Sequence, residues 1–397
     1  MPARVVITGV GVVSAIGVTR LAFHEALARG DSAIAAHPTA ADDGVPLSAR
    51  VLDFGARAHF EPRVLRRLAR VSQMALVAAR EALAHASATA ATWPGDRVGV
   101  ILGTGVGTLR ETLDFMNGYL DGGCEAASPL LFPASVLNAV AGQTAIELGL
   151  RGVNITINHR EGSTLDALLL AADFLRLGRA DALLVGGVDE LSPASLRAFG
   201  QLAHLSPTAL RPYARGRDGT APGEGAAMFI VEREDDALRR GAPILAGLAG
   251  GAAGGESRAR VGYRGEHRAA VRVIGAALAE ARLDPAAIDY VAGAGSGLSI
   301  DAIEAQAVAE ALGGAVVPHG SILGQTGDFL SAAALRLAAA LYALERQALP
   351  GTSGAGDDDD EAPVPGLVRT ARSATVNHVL LPMITQGGAD SALVLSR

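Results

Sequence analysis

Few side chains in this sequence can do covalent chemistry, and their spacing narrows the choice further. The one thiol, Cys124, follows Gly122-Gly123 with no histidine close by, so it reads as an inert cysteine. Glu161 stands in Asn158-His159-Arg160-Glu161-Gly162-Ser163, directly before a helical stretch rich in leucine and alanine. A helix dipole at that place favours the carboxylate, and His159 or Arg160 lies near enough along the chain to pair with it. Such a group can exclude other molecules as a charged plug, or act as a base in decarboxylation; simple drift is the competing reading. It cannot stand in for a thiolate as an acyl acceptor, because the anhydride formed would be far less stable than the starting thioester. His319 and His378 are isolated in the sequence and read as structural.

The elements that must position these groups alternate as in an α/β protein with covered sheets. Short β-branched runs predict strands at 4–9, 97–103, 154–158, 182–188, 227–232, 288–293 and 391–395. Alanine-rich runs between them predict helices at 20–29, 63–86, 107–121, 134–148, 163–178, 191–200, 234–240, 265–282, 301–312 and 328–345. The glycine-rich stretch Ala246 to Gly265 is weakly patterned and is taken as the boundary between two halves, 1–245 and 246–397. Gly9-Val10-Gly11 and Gly103-Thr104-Gly105-Val106-Gly107 do not complete a dinucleotide-binding pattern and read as tight strand exits. Gly351 to Gly366, with its run Asp357 to Glu361, reads as an exposed loop.

Composition sets outer limits. Hydrophobic residues make up 49% of the 397 and charged residues 19%, a balance for a globular protein with a substantial core. All 34 positive side chains are arginine, and the net charge of −7 argues against general nucleic-acid binding. One cysteine allows neither an internal disulfide nor a multi-cysteine metal site, so no metal is expected and a reducing cytoplasmic setting is. The opening Val5-Val6-Ile7-Thr8-Gly9 reads as a strand, not a signal peptide, and no stretch is apolar enough to predict a membrane span.

Several motifs together resemble the thiolase-like β-ketoacyl synthases, over nearly the whole chain. The opening strand Val5 to Ser14, the helix Arg66 to Ala75, and Ala182-Leu183-Leu184-Val185-Gly186-Gly187-Val188-Asp189-Glu190 each have a counterpart there. The strongest block is Leu205-Ser206-Pro207, Arg211-Pro212-Tyr213, Arg217-Asp218-Gly219 and Gly223-Glu224-Gly225-Ala226, in family order. The resemblance implies a dimer of a duplicated five-layered α-β-α-β-α fold. It also implies a cysteine at the turn before the helix of residue 163, and two histidines in the second half. In that chemistry a thiolate at a helix N-terminus takes the acyl group and the histidines stabilise an enolate.

This sequence departs at each of those places. Glu161 takes the cysteine's position, Gly293 the first histidine's, Gln325 the second histidine's and Gly320 the lysine's; the C-terminal motif is reduced to Ile384-Thr385-Gln386-Gly387-Gly388-Ala389-Asp390. Such a chain resembles the chain length factor class of type II polyketide ketosynthases. The resemblance implies a non-catalytic subunit that pairs with a cysteine-containing ketosynthase and bounds its chain tunnel. Aromatic-polyketide members carry glutamine at the cysteine position, so Glu161 points toward reducing systems that make polyenes, aryl polyenes included. Asp114, Phe115, Met116 and Phe132 are then the expected tunnel residues. Arg63, Arg66, Arg67 and Arg70 form the expected docking stripe for an acidic acyl carrier protein. No cofactor is expected, the carrier's phosphopantetheine arm being handled by the partner. Rival expectations are a condensing or malonyl-decarboxylating enzyme using Glu161, and a homodimeric scaffold.

Overall fold

Ten strands form one sheet, and their order contains a repeat. In chain order they are β1 Val5–Ser14, β2 Val98–Gly103, β3 Asn154–Ile157, β4 Ala182–Asp189, β5 Gly225–Arg233, β6 Ala246–Gly255, β7 Tyr290–Ala292, β8 His319–Gly320, β9 His378–Ile384 and β10 Ala389–Ser396. They lie side by side as β8-β7-β9-β10-β6-β1-β5-β4-β2-β3. The first five strands thus run β3-β2-β4-β5-β1 and the second five β8-β7-β9-β10-β6, the same arrangement twice. The two sets meet where β1 pairs with β6 through Val6↔Gly247 and Ile7↔Ala246. The computed structural model describes residues 3–38, 44–202, 204–256, 267–355 and 364–397.

Helices complete five layers. α1 is Arg20–Arg29, α2 Arg70–His85, α3 Leu109–Ala126, α4 Ala139–Leu148, α5 Ser163–Arg176, α6 Pro193–Leu202, α7 Arg268–Ala281, α8 Ile300–Ala311 and α9 Ala333–Arg346. α5 and α9 touch each other and strands of both halves, so they form the middle layer. Ala333 to Leu344 of α9 is buried on every side, as a helix apolar all round must be. α5 buries Leu165, Leu168, Ala171, Ala172 and Leu175, one face at helical spacing. α2 and α4 cover the outer face of the first half, α7 and α8 that of the second. This is the thiolase-like α-β-α-β-α arrangement.

Four sequence expectations need correction. Ala246 to Gly255 is not weakly ordered: it is the central strand β6, with which the second set of five strands begins. It lacks bulky side chains because helices pack too close on both faces: a Cβ on Gly250 would overlap the Ala277 carbonyl of α7, and one on Gly251 the Leu169 side chain of α5. Gly9 and Gly11 likewise lie inside β1 rather than at its exit, where a Cβ would overlap the α2 carbonyls of Ala82 and Ala78. The helix expected over 63–86 is broken. Pro62–Leu65 forms one turn, Ala69 is extended, and Gln73 Nε2 caps the Leu65 and Leu68 carbonyls at 3.2 and 3.0 Å before α2 proceeds. His378–Ile384, unassigned from sequence, is β9. The acidic run Asp357 to Glu361 and the remainder of the glycine-rich stretch, 257–265, lie outside the described residues.

Candidate functional site

The turn carrying Glu161 is held from several directions. Asn158 Nδ2 donates to the carbonyls of Thr104 and Gly105 at 3.0 and 2.8 Å, fastening the turn to the exit of β2. Ser163 Oγ accepts from the His159 amide at 2.8 Å and donates to the Arg160 carbonyl at 2.6 Å, while Arg160 itself adopts a left-handed φ of 51°. Glu161 therefore sits in a one-turn helix immediately before α5. Its side chain is 23% exposed, and Arg160 Nε lies 3.5 Å from Oε2. That oxygen is buried and makes no hydrogen bond among the described residues. His159 pairs instead with Asp166, Nδ1 to Oδ2 2.5 Å, so only one of the two partners expected from sequence is there.

At Gly293 and Gly320, where the resemblance leads one to expect a histidine and a lysine, neighbours fill the space. A Cβ on Gly293 would overlap the Tyr213 hydroxyl and His319 Nε2 and would press on Glu304 Oε1. These three side chains form a buried cluster: the Tyr213 hydroxyl donates to Glu304, and His319 Nε2 lies 3.0 Å from that hydroxyl and 3.6 Å from the carboxylate. Burial pushes the Glu304 carboxyl up, but the His319 hydrogen bond and the Arg336 charge outweigh it and hold the group below its ordinary value. The Ala294 amide also donates to Glu304, at 2.9 Å. At Gly320 a Cβ would come within 2.7 Å of the Tyr290 hydroxyl and 3.4 Å of Thr352 Oγ1. Gln325 is fully buried, and neither atom of its amide has a partner among the described residues.

Three charged groups of this region escaped the sequence reading. Asp301 accepts from the Tyr213, Ser296 and Gly297 amides at 3.0, 2.8 and 3.0 Å; burial nonetheless raises its carboxyl to about 6. Asp328 is raised to about 7 by burial first and then by the charges of Glu161 and Asp301. Arg336 is buried on α9 and donates to the Ala292 and Pro382 carbonyls at 2.8 and 2.6 Å, joining β7 to β9. An aspartate in a glycine-containing turn and an arginine on an alanine-rich helix both look like surface residues in one dimension, which is why neither stood out. Chemically the region offers carboxylates, an amide and one sequestered imidazole. No thiol stands with them, since Cys124 is exposed on α3.

The arginines and the α3 residues separate by environment. Arg70 is turned inward: it donates to Glu224 at 2.6 and 3.0 Å and to the Val51 carbonyl at 2.6 Å, and Glu224 also takes the Val51 and Leu191 amides. It is thus the anchor of the Gly223-Glu224-Gly225-Ala226 block. Arg63, Arg66 and Arg67 are exposed, Arg63 beside Glu61 at 2.7 Å and Arg67 within 3.8 Å of Glu147. Close to Arg70 lies Glu190, its side chain 1% exposed, 3.9 Å from Arg70 and 3.8 Å from Arg110, with no hydrogen bond to either oxygen among the described residues. Burial first, and Glu111 next, raise its carboxyl to about 7.

Above Glu190 the molecule opens into an apolar face. Leu113, Met116, Tyr119 and Leu120 of α3, then Leu130, Phe132, Val136 and Leu137, and Ile146 of α4 are all substantially exposed, Leu130 at 88%. The Phe115 and Phe132 rings pack at 5.5 Å between centroids, and Asp114 points to solvent beside them. The strand β3 ends the sheet and pairs on one side only, with β2. Large apolar side chains gathered in one sequence neighbourhood and left exposed mark a surface built to be covered.

Comparison with known proteins accounts for the whole chain. The family model described as "Beta-ketoacyl synthase, N-terminal domain" matches residues 3–237, and "Beta-ketoacyl synthase, C-terminal domain" residues 245–355. A relative from Streptomyces cyaneus, named putative polyketide beta-ketoacyl synthase 1, is 34% identical over 100% of this chain and 98% of its own length. Among solved structures, a type II PKS acyl-carrier protein complex with its ketosynthase bound to the hexaketide superposes with a TM-score of 0.91 at 25% identity, covering 100% of both chains. The ishigamide ketosynthase/chain length factor does so at 0.90 and 26%, covering 100% of this chain and 99% of the other. With both halves matched, the fold repeated and the motif block anchored by Arg70 and Glu224, the chain belongs to the β-ketoacyl synthase family.

Proposed function

We propose that this protein is a non-catalytic chain length factor: it pairs with a cysteine-containing β-ketoacyl synthase, and together they elongate a polyketide chain. The observation that carries the reading is the contrast at one end of the sheet. The turn holding Glu161 has no thiolate, the histidine position of Gly293 is occupied by other side chains, and an apolar face running from Leu113 to Ile146 stands open next to the unpaired edge of β3. A family member stripped of its chemistry but keeping a large apolar face is suited to completing another subunit. In this reading Phe115, Met116 and Phe132, with Asp114 at their edge, contribute to the wall of the partner's chain tunnel.

The acyl carrier protein is the third participant, and the carrier's phosphopantetheine arm is received by the partner. Arg63, Arg66 and Arg67 are exposed and suit an acidic carrier surface, whereas Arg70 is committed to Glu224. The extension to reducing, polyene-forming systems rests on Glu161 alone.

The test is co-expression with the cysteine-containing ketosynthase of the same gene cluster, followed by native mass spectrometry of the purified material. A one-to-one heterodimer is expected. A homodimer that ignores the ketosynthase would sink the proposal, and release of carbon dioxide from malonyl thioesters by this chain alone would favour an enzyme using Glu161.

A further inference from the structure

Helix α3 carries two kinds of side chain on its exposed side. Leu113, Met116 and Leu120 recur three and four residues apart and form the apolar stripe. Asp114 and Asp121, two turns apart, run alongside it, and Glu125 follows the kink at Gly122 and Gly123. All three carboxylates are exposed, and none has a hydrogen bond or ion-pair partner among the described residues. The one cation of the helix, Arg110, is drawn toward buried Glu190 at 3.8 Å. The outward charge along the open face is therefore negative and uncompensated.

That charge bears on which partner the face accepts. A two-fold pairing of this chain with itself would set the same acidic surface against its copy, and like charges brought together at an interface are repelled strongly. We infer that the acidic flank of α3, Asp114 and Asp121, selects against a second copy of this chain and for a partner whose matching surface combines apolar residues with arginine or lysine. The inference rests on the proposed pairing with a ketosynthase and names the chemistry of that partner's surface. Selection of this kind is specificity by repulsion of the wrong partner as well as attraction of the right one.

The experiment mixes the chain with the cysteine-containing ketosynthase of its gene cluster and follows assembly by analytical ultracentrifugation at low and high salt, comparing wild type, D114N/D121N and D114R/D121R. Both positions are exposed, so unchanged thermal unfolding is expected of each variant. Neutralisation should raise the homodimer-to-heterodimer ratio roughly tenfold and flatten its salt dependence. Reversal should weaken the heterodimer by roughly tenfold or more. Wild-type heterodimer with ratios unchanged in both variants would overturn the charge inference while leaving the partner reading intact. A wild-type chain that forms no heterodimer would overturn both.

Discussion

The region around Gly293 and the face of α3 have opposite fates in the same fold. Around Gly293 the space is closed by internal polar contacts: Tyr213, Glu304 and His319 bind one another against the Gly293 backbone, and Arg336 bridges two strands beneath them. On α3 the apolar stripe is exposed, and Asp114, Asp121 and Glu125 have no hydrogen-bond or ion-pair partner among the described residues. On the proposed non-catalytic reading, residues freed from chemistry come under selection for packing alone. Residues facing a partner are held to a surface that is costly for the isolated chain. Under the proposed pairing, the first region serves stability and the second assembly.

The largest effect should come from putting a side chain back where the interior has closed. G293H must displace three fully packed side chains, and overpacking of that kind costs about 3 kcal/mol or more, visible as a large drop in the denaturant midpoint. A triple variant E161C/G293H/Q325H should accordingly gain no condensing activity. Free acceptance of the imidazole, with unchanged stability, would show that the site had only been emptied.

Next comes the arginine group, which the structure divides. R70A removes the main counter-charge of buried Glu224 and should cost about 3 kcal/mol in thermal or chemical unfolding, tempered by the two amides that still bind the carboxylate. R63E/R67E should leave stability within about 0.5 kcal/mol and weaken carrier-protein binding instead. Equal stability losses in the two variants would erase the distinction between an anchor and a docking surface.

A pH titration sharpens the boundary between the regions. Glu190 lies beneath α3 with its carboxyl raised to about 7 in the folded state, above its unfolded value of 4.5. The folded state therefore binds the proton more tightly, so the contribution is fully present below about pH 4.5 and is lost as pH rises through about 7. E190Q should flatten that slope between pH 4.5 and 7, by about 2 kcal/mol. An unchanged slope would mean that Arg70 and Arg110 already compensate the charge.

The smallest effect on folding is expected at the open face. F132A removes an exposed ring and should change the stability of the isolated chain by no more than about 1 kcal/mol, yet weaken assembly with the ketosynthase by about 2 kcal/mol if the ring is an anchor. The reverse pattern would make Phe132 a packing residue of the Phe115 pair.

Much of this was legible in one dimension. Fully buried strands such as β4 and the first half of β1 announce themselves as apolar runs, and α5 and α9 by alanine and leucine at helical spacing. β6 was hidden because glycine and alanine carry no strand signal. Their small size answers to α7 on one face and to Leu169 of α5, distant in sequence, on the other. Arg70 looked like its neighbours Arg63, Arg66 and Arg67, since a guanidinium that faces water and one that faces Glu224 have the same letter. Phe115 and Met116 of α3 were expected at a chain tunnel from the family resemblance alone, because periodicity shows that a face is apolar and not whether anything covers it.

By itself, then, the sequence determined the α/β alternation, the motif block that carries the family resemblance, and the residue types at Glu161, Gly293 and Gln325. These are facts of residue type and order, and local propensity together with hydrophobic period suffices to read them. Only the tertiary structure decided that the space at Gly293 is filled by Tyr213, Glu304 and His319, that Arg70 is an anchor, and that α3 presents its apolar stripe and its unpaired carboxylates outward. Those outcomes depend on which distant segments reach the same point in space, and burial, charge pairing and steric closure exist only once they have met.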